Sequence, residues 1–409
     1  MLVMALTGGF AARAQSVKIV FAGDLMGHMP QHNAALKADG SYDYSPCFRY
    51  VRDYVRSADL AILNLEVPLA GRPYSGYPQF SAPDALAAAA RDAGFDIMTT
   101  ANNHCMDRGQ KGLERTLRAL DSMGIRHLGT YHDRGQRDAE HPMMVEVKGL
   151  RLALLCYTYG TNGIEVRSPN VVNMIDTVEM LRDLTVARER GADCVITLIH
   201  WGIEYAVKAN REQESTARWL LEHGCDAVIG GHPHVVQNFT LDAIPGNGRF
   251  PEVVVYSMGN LVSNQRDVNC DGGIMIELTL ESSEGGVRSS EVPGAAAITH
   301  HSSLITHHCA YLPYWVHRGT VDGLYQYYIV PSADAVAYPE SYQIGGVDLK
   351  ALQLFDSNTR KRLEACRLKD GQNIEELHCF RNTLPVYPPA GGVVPLMGNE
   401  LLRSKVERR

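Results

Sequence analysis

Asn103 and His104 stand side by side in a polar segment that directly follows a hydrophobic run over residues 95–100. The run predicts a buried strand, and the segment from Gly109 to Met123 predicts a helix. The pair would then lie at the carboxyl end of a strand, where open α/β sheets place their ligand sites. An amide oxygen can bind a metal ion, and an imidazole can donate a proton to a substrate. In isolation such a pair is more typical of a loop that caps a helix, so its interpretation depends on the rest of the chain.

Four other apolar runs also end in residues that can bind a metal ion, and these residues are Asp24, Glu66, His200, His232 and His234. Carboxylates and imidazoles together with the amide oxygen of Asn103 suit Mn²⁺, Zn²⁺ or Fe²⁺ better than Ca²⁺. A carboxylate shared by two ions about 3.5–4 Å apart would permit two-metal hydrolysis of a phosphate ester. The pattern therefore predicts a site for one or two divalent ions.

The order of apolar runs and helical patterns predicts the fold class and the domains. Strands alternate with helices over residues 15–285, which predicts one α/β domain. Two of the runs, 143–147 and 152–158, flank Lys148-Gly149 and predict an antiparallel hairpin. A segment rich in Ser, Gly and charge follows near residue 282 and predicts a boundary. Residues 286–409 are predicted to form a C-terminal extension that packs on the core, with no role assigned.

Composition and the first residues limit the class of protein. With 39 basic and 46 acidic residues the net charge is −7, which argues against nucleic acid as the main partner. No apolar run is long enough for a transmembrane span. Residues 1–14 combine an uncharged apolar head with Ala12-Arg13-Ala14, which is typical of a signal peptide. We therefore expect an exported protein, periplasmic or extracellular, whose mature chain begins near Gln15.

Six short blocks carry a resemblance to a known family. They resemble the CapA family of capsule-type poly-γ-glutamate synthesis proteins, which are related to the calcineurin-like metallophosphoesterases. The blocks fall in the order of the family and span about residues 18–265. They are Gly23-Asp24, Asn64-Leu65-Glu66, Ala101-Asn102-Asn103-His104 with Asp107 and Gly109, His200-Trp201-Gly202 with Glu204-Tyr205, Gly231-His232-Pro233-His234, and Tyr256-Ser257-Met258-Gly259-Asn260.

The resemblance implies a four-layer α/β/β/α sandwich of the metallophosphatase type, with the metals at one edge of the sheets. It implies that His104, beside the ligand Asn103, protonates the leaving group of a substrate. It also implies a division of the metal ligands, in which Asp24 and His234 hold the first ion, Asn103, His200 and His232 hold the second, and Glu66 bridges the two.

The first block departs from the phosphoesterase pattern. Those enzymes usually have Asp-x-His, whereas this chain has Asp24-Leu25-Met26. A thioether is a poor ligand for a hard or borderline ion, so the first site should be the weaker one. If the pocket is otherwise kept, replacing Met26 with histidine is expected to raise the metal content. His28, four positions after Asp24, is interpreted as a loop histidine rather than as the replacement ligand.

Three functions are compatible with these residues. The leading hypothesis is a metal-dependent hydrolase of phosphate esters that acts in the metabolism of capsule or another anionic envelope polymer. The second is a non-catalytic accessory subunit of the capsule synthesis machinery, which binds a metal or an anionic polymer. The third is a hydrolase of γ-glutamyl amide bonds that uses the metals as Lewis acids on a carbonyl.

Overall fold

A computed structural model describes residues 16–243, 251–282, 304–364 and 375–377. The predicted signal segment, residues 1–14, lies outside these ranges, as does most of the chain beyond residue 364. Within the described ranges, the first of two large sheets has nine strands. They are β1 (Ser16–Leu25), β2 (Leu60–Leu65), β3 (Ile97–Thr99), β4 (Arg126–Leu128), β13 (Asn260–Val262), β14 (Gly272–Ser282), β15 (Leu304–Val321), β16 (Leu324–Pro331) and β17 (Glu375–Glu376).

The second sheet and the helices complete the described elements. The strands of this sheet are β6 (Met143–Val147), β7 (Leu150–Thr158), β9 (Cys194–His200), β10 (Ala227–Gly231), β11 (Phe239–Ala243) and β12 (Pro251–Val255), while β5 (Thr130–Tyr131) pairs separately with β8 (Val171–Val172). The helices are α1 (Met29–Ala35), α2 (Arg52–Arg56), α3 (Asp84–Ala93), α4 (Gly109–Ser122), α5 (Arg134–Glu140), α6 (Thr177–Glu189), α7 (Arg211–Glu222), α8 (Ser332–Ala337) and α9 (Gly346–Glu364), with 3-10 turns at Ser45–Phe48 and Pro339–Tyr342.

Strand order brings the predicted site strands together. The first sheet runs β16-β15-β14-β1-β2-β3-β4, and β1, β2, β3 and β4 are parallel. The second runs β11-β12-β10-β9-β7-β6, and its four central strands are parallel. The predicted hairpin is present as β6 and β7. Beyond residue 286, β15 and β16 extend the first sheet through β14. The domain boundary at that residue stays a prediction.

The layers follow from the alternation of side chains along the strands. In β1, Ile19 lies in an apolar cluster with Ile196 of the second sheet, so this cluster fills the space between the two sheets. The next residue, Val20, points to the opposite face and lies in a cluster with Leu86 of α3. Val195, next to Ile196, likewise faces away from the first sheet, in a cluster with residues of α6 and α7. Because successive strand residues face opposite sides, the order of layers is helix, sheet, sheet, helix. This confirms the predicted four-layer α/β/β/α sandwich.

The ends of two helices follow from local sequence. The predicted helix that begins at Gly109 is α4, which ends at Ser122. Asp176 caps α6, because its side chain accepts hydrogen bonds from the backbone N–H groups of Val178 and Glu179. In the ranges that the structure describes, none of the helices combines the length and the apolar character that crossing a bilayer requires.

Candidate metal centre

The residues singled out from the sequence lie at one edge of the two sheets. Asp24 lies near the end of β1 and His200 ends β9, while the others follow β2, β3 and β10. The carboxyl ends of parallel strands lie at one edge, so residues that are far apart in sequence converge there. All seven side chains are buried, with exposed fractions of 0% for Asp24 and Glu66, 1% for Asn103 and His234, 2% for His232, 3% for His200 and 4% for His104.

Six of these seven side chains bring possible ligand atoms together around Glu66. These residues include two groups of three. In each group every residue offers one possible ligand atom, and the three atoms lie within 4.8 Å of one another. Glu66 belongs to both groups. A carboxylate in that position can be shared by two ions. The groups are Asp24, Glu66 and His234, and Glu66, His200 and His232. Asn103 adjoins the second group, because His200 Nε2 lies 2.9 Å from Asn103 Oδ1 and 3.3 Å from Glu66 Oε1.

Several of these atoms have no hydrogen-bond partner among the described residues. They are both carboxylate oxygens of Glu66 and the Nδ1 atoms of His232 and His234. Buried polar atoms in proteins are almost always hydrogen-bonded, and a buried carboxylate without a partner is especially costly. Here the atoms without hydrogen-bond partners belong to residues of the two candidate ligand groups, and His234 Nδ1 lies 3.3 Å from Asp24 Oδ2. The donor set therefore fits one or two divalent transition-metal ions.

The electrostatics of the two carboxylates differ. Burial by itself would raise the pKa of Asp24, but the nearby imidazoles of His234 and His200 hold that pKa well below its usual range. Asp24 also accepts a hydrogen bond from Asn64 Nδ2 at 2.8 Å. Burial and the negative charge of Asp24 raise the pKa of Glu66 well above its usual range. Two carboxylates this close need positive charge between them to be ionised together.

The pKa values of the imidazoles also differ. Burial lowers the pKa of His200 to about 3 and, with the charges of neighbouring histidines, lowers that of His232 to about 2. Burial also opposes a charge on His234, but the charge of Glu66 and the contact with Asp24 raise its pKa to about 9. His200 and His232 are therefore held in the neutral form, which is the form that binds a metal.

His104 has a different environment from the metal-binding candidates and belongs to neither group. Its Nδ1 donates a hydrogen bond to Asp107 Oδ2 at 2.8 Å, and the backbone N–H of Phe80 donates to the same oxygen at 2.8 Å. The ring of Phe80 packs edge-on against the imidazole, with 4.7 Å between the two ring centroids. Burial lowers the pKa of His104, but Asp107 and Glu66 raise it, and the net direction is upward. The Asp107 contact leaves Nε2 as the nitrogen that can exchange a proton with a ligand.

Glycine is required at two positions where the backbone approaches the site. A Cβ atom added to Gly23 would lie 1.9 Å from the carbonyl oxygen of Gly259, and one added to Gly231 would lie 2.8 Å from Asp24 Oδ1. The neighbouring histidines His232 and His234 have positive φ values of 96° and 58°. Such values are uncommon for residues other than glycine and often occur at functional sites. The turn after β10 therefore has an uncommon backbone conformation at the two residues whose imidazoles it places at the site.

Met26, which stands where phosphoesterases usually have histidine, and the nearby His28 both lie beside the site and not in it. His28 is the N-cap of α1, its Nδ1 accepts a hydrogen bond from Asn264 N at 3.3 Å, and it belongs to neither ligand group. Met26 is 1% exposed and packs in the apolar cluster between the first sheet and the helices, together with Leu65 and Val262.

This packing changes the outcome that we expect for Met26→His. The imidazole would be buried in an apolar cluster without a partner, so we expect no gain in metal content and a loss of about 1–3 kcal/mol in unfolding free energy. Denaturant unfolding and elemental analysis of the variant would measure both. Met26→Leu, which keeps the volume and the apolar character, is the control and should remain close to wild type. A metal content above wild type in Met26→His would show that the side chain reaches the site.

Sequence reasoning assigned no role to several residues that the structure places at the site. Asn64 donates to Asp24 and lies 3.3 Å from His200 Nδ1. Tyr159 packs over His232 with a ring-centroid distance of 4.6 Å. Asn162 lies 3.3 Å from the side chain of Asn103 and 3.4 Å from His104 Nδ1. Both Tyr159 and Asn162 follow β7, so the strand-end signal that found the other residues could have found these.

Comparison with known proteins gives one family match. The model of the family described as "Bacterial capsule synthesis protein PGA_cap" matches residues 18–265, which is more than half of the chain. The capsule biosynthesis protein CapA of Bacillus anthracis is 28% identical over 263 residues, or 61% of this chain and 61% of that protein. The PGA biosynthesis protein CapA of Bacillus subtilis (strain 168) is 27% identical over 226 residues, or 53% of this chain and 57% of that protein. The match thus spans about three fifths of the length of these relatives.

Solved structures are more distant. The alignment with the NAD nucleotidase NadN of Haemophilus influenzae covers 88% of this chain and 65% of the NadN chain, at a TM-score of 0.44 and 13% identity. The alignment with a 5'-nucleotidase from Candida albicans SC5314 covers 64% of this chain and 46% of the nucleotidase chain, at a TM-score of 0.37 and 12% identity. Scores this low support no conclusion about the activity of this chain.

Proposed function

The chain belongs to the bacterial capsule synthesis protein (PGA_cap) family, and on that premise we propose that it is a metal-dependent hydrolase of phosphate esters in the metabolism of capsule or another anionic envelope polymer. The observation that carries the proposal is the position of Glu66. Its carboxylate belongs to both candidate ligand groups, and both of its oxygens lack a hydrogen-bond partner among the described residues. Burial and Asp24 raise the pKa of Glu66, so bound cations would be needed to keep this shared carboxylate ionised.

The ligand roles follow from the two groups. Asp24 and His234 would hold one ion, His200 and His232 with Asn103 would hold the other, and Glu66 would bridge them. The mixed carboxylate, imidazole and amide donor set is suited to Mn²⁺, Zn²⁺ or Fe²⁺. Ions bound there would supply Lewis acidity toward a phosphoryl oxygen and would lower the pKa of a bound water.

The chain itself supplies the proton for the leaving group. Asp107 accepts the Nδ1 proton of His104, which fixes the ring orientation and leaves Nε2 to carry the second proton of the imidazolium. In the proposed hydrolysis a water oxygen bonds to phosphorus as the bond from phosphorus to the ester oxygen breaks. That ester oxygen takes the Nε2 proton, so the products are the phosphate and a neutral alcohol. Phe80 covers one side of the imidazole and limits the access of water there.

Release of p-nitrophenol from its phosphate mono- and diesters tests this function. We expect turnover that a chelator abolishes and that added Mn²⁺, Zn²⁺ or Fe²⁺ restores, because the proposed chemistry needs the ions. Turnover that persists in the chelator would contradict the proposal. So would a protein that binds the ions but cleaves neither ester, and that result would support the accessory, binding role in capsule synthesis.

A further inference from the structure

Exposed aromatic side chains border the metal centre beside its imidazoles. The ring of Tyr159 lies over His232, and the ring centroids of Tyr205 and His234 are 6.1 Å apart. The two tyrosines are 44% and 48% exposed. Single exposed apolar side chains are ordinary, but aromatic rings that adjoin the buried polar groups of a site are typical of a ligand-binding surface.

A third exposed tyrosine lies on the side of the proton donor. The ring centroids of Tyr77 and Phe80 are 6.5 Å apart, and Phe80 packs against His104. Phe80 is fully buried, whereas Tyr77 is 77% exposed. Burial and nearby groups raise the pKa of Tyr205, and Tyr77 is one of these groups. The rings of Tyr77 and Tyr205 therefore lie near each other and belong to one exposed surface.

The position of Tyr205 is fixed by its neighbours. Its backbone N–H donates to the carbonyl oxygen of Pro233 at 2.8 Å, in the turn after β10. Its hydroxyl accepts a hydrogen bond from Gln265 Nε2 at 3.3 Å. Its φ of 65° is uncommon for a residue other than glycine. A ring held in this way loses little freedom when a ligand packs against it, so the cost of ordering is low.

Acidic groups lie beside these rings. Burial raises the pKa of Tyr159 to about 12, with a further contribution from the charge of Glu204. The pKa of Tyr205 is also raised to about 12, by burial and by the charges of Glu204 and Asp267 among others. The tyrosine hydroxyls stay protonated and can donate hydrogen bonds, while the carboxylates accept them. Since carboxylates repel an anion, the surface favours an uncharged group that carries hydroxyls.

The position of His104 determines which part of a substrate meets this surface. In the proposed reaction the Nε2 proton passes to the ester oxygen of the leaving alcohol, so that oxygen lies next to His104. Phe80 packs against the same imidazole, and Tyr77 lies beyond Phe80 as its exposed neighbour. An alcohol that extends from this oxygen toward solvent therefore passes the ring of Tyr77.

We propose that the alcohol of the substrate ester carries an uncharged, hydroxylated ring, that of a sugar or of a nucleoside, and that Tyr77 and Tyr205 bind the face of this ring. The inference deepens the proposed function and rests on it for the direction in which the alcohol leaves. Tyrosine rings offer a large apolar face together with a hydroxyl that forms hydrogen bonds. A short alcohol without a ring would leave both tyrosines uncovered, and an anionic alcohol would meet the charge of Glu204.

Binding of two phosphonates to the metal-loaded full chain, measured by calorimetry, tests the inference without turnover. Phenethylphosphonate and ethylphosphonate differ only by the phenyl ring, and neither can be hydrolysed as an ester. The ring should improve affinity about tenfold or more, because it covers apolar surface of the tyrosines. A carboxylate in the para position of the ring should remove most of this gain, because it approaches Glu204.

Variants assign the effect to the tyrosines. Tyr77→Ala and Tyr205→Ala should each reduce the ratio of the two affinities about threefold or more. Tyr77→Phe should retain the ratio, since it keeps the ring face. The matched control is Tyr325→Ala, which removes a ring that is 49% exposed on β16, a strand that contributes no residue to the metal centre. This control should keep the ratio of wild type.

Equal affinity for the two phosphonates, no binding of either, or an unchanged ratio in both alanine variants at positions 77 and 205 would overturn the inference. An equal loss in Tyr325→Ala would do the same. Phosphate release from glucose 6-phosphate, adenosine 5'-phosphate and glycerol phosphate separates the two sources of the ring, because the better of the first two substrates identifies it. A higher kcat/KM for glycerol phosphate than for both would contradict the inference. A chain that binds phenethylphosphonate through Tyr77 but cleaves none of these esters would reject the hydrolase function alone.

Discussion

Glu66→Gln should lose bound metal and ester turnover together. Glu66 lies in both candidate ligand groups, and the substitution removes the negative charge that would be shared by both ions. Changes in groups that only support a ligand already cost 10–100-fold in affinity or activity, so loss of the shared ligand should cost about 100-fold or more. Elemental analysis of the purified variant and its turnover of p-nitrophenyl esters would measure the two effects.

Glu277→Gln is the matched control for this variant. Glu277 is a carboxylate of β14 that is 8% exposed, but it is paired with Lys18 at 2.7 Å and lies outside the site. We expect it to keep the metal content and turnover of wild type. If Glu66→Gln folds and retains the full metal content, Glu66 is not a bridging ligand and the division of the site into two groups is wrong.

His104→Asn should separate metal binding from catalysis. The residue belongs to neither ligand group, so metal content should stay near that of wild type. Turnover should fall by about 10²–10⁴-fold, because the leaving group would depart without a proton donor. The loss should be smaller for esters of strongly acidic alcohols, which leave without protonation. Turnover of a series of esters, plotted against the acidity of the leaving group, would measure this difference.

His127→Asn is the control for a buried histidine outside the site. His127 is 8% exposed on β4, and its Nε2 lies 3.1 Å from Asp121. Its variant should keep both metal and turnover. Loss of metal in His104→Asn would make His104 a ligand, and turnover equal to wild type would leave the site without its proton donor.

The local part of the fold was predictable from the sequence because each signal spans only a few residues. Apolar runs that end in Asp24, Glu66 or His200 mark buried parallel strands, and Gly109 marks the start of a helix. The convergence of these residues then follows from topology, since parallel strands place their carboxyl ends at the same edge. The four layers, by contrast, were expected from family resemblance and not from the pattern itself.

Other parts required the structure because they depend on contacts between distant segments. The run that forms β7 was predicted as half of a hairpin, and it is, but it also pairs in parallel with β9. Its far end therefore lies at the site and positions Tyr159 and Asn162. Similarly, the sequence defines Met26 only by its position two residues after Asp24. Its burial in the apolar cluster depends on packing against helices, which local sequence does not reveal.

We propose that Glu66 and the surrounding histidines hold divalent metal, and elemental analysis of the purified wild-type chain is the direct test. After dialysis to remove loosely bound ions, we predict one or two ions of Mn, Zn or Fe per chain, because buried carboxylate and imidazole atoms without other partners converge there. If the chain retains none of these ions in stoichiometric amount, even after each has been offered in turn, these residues do not form a metal site.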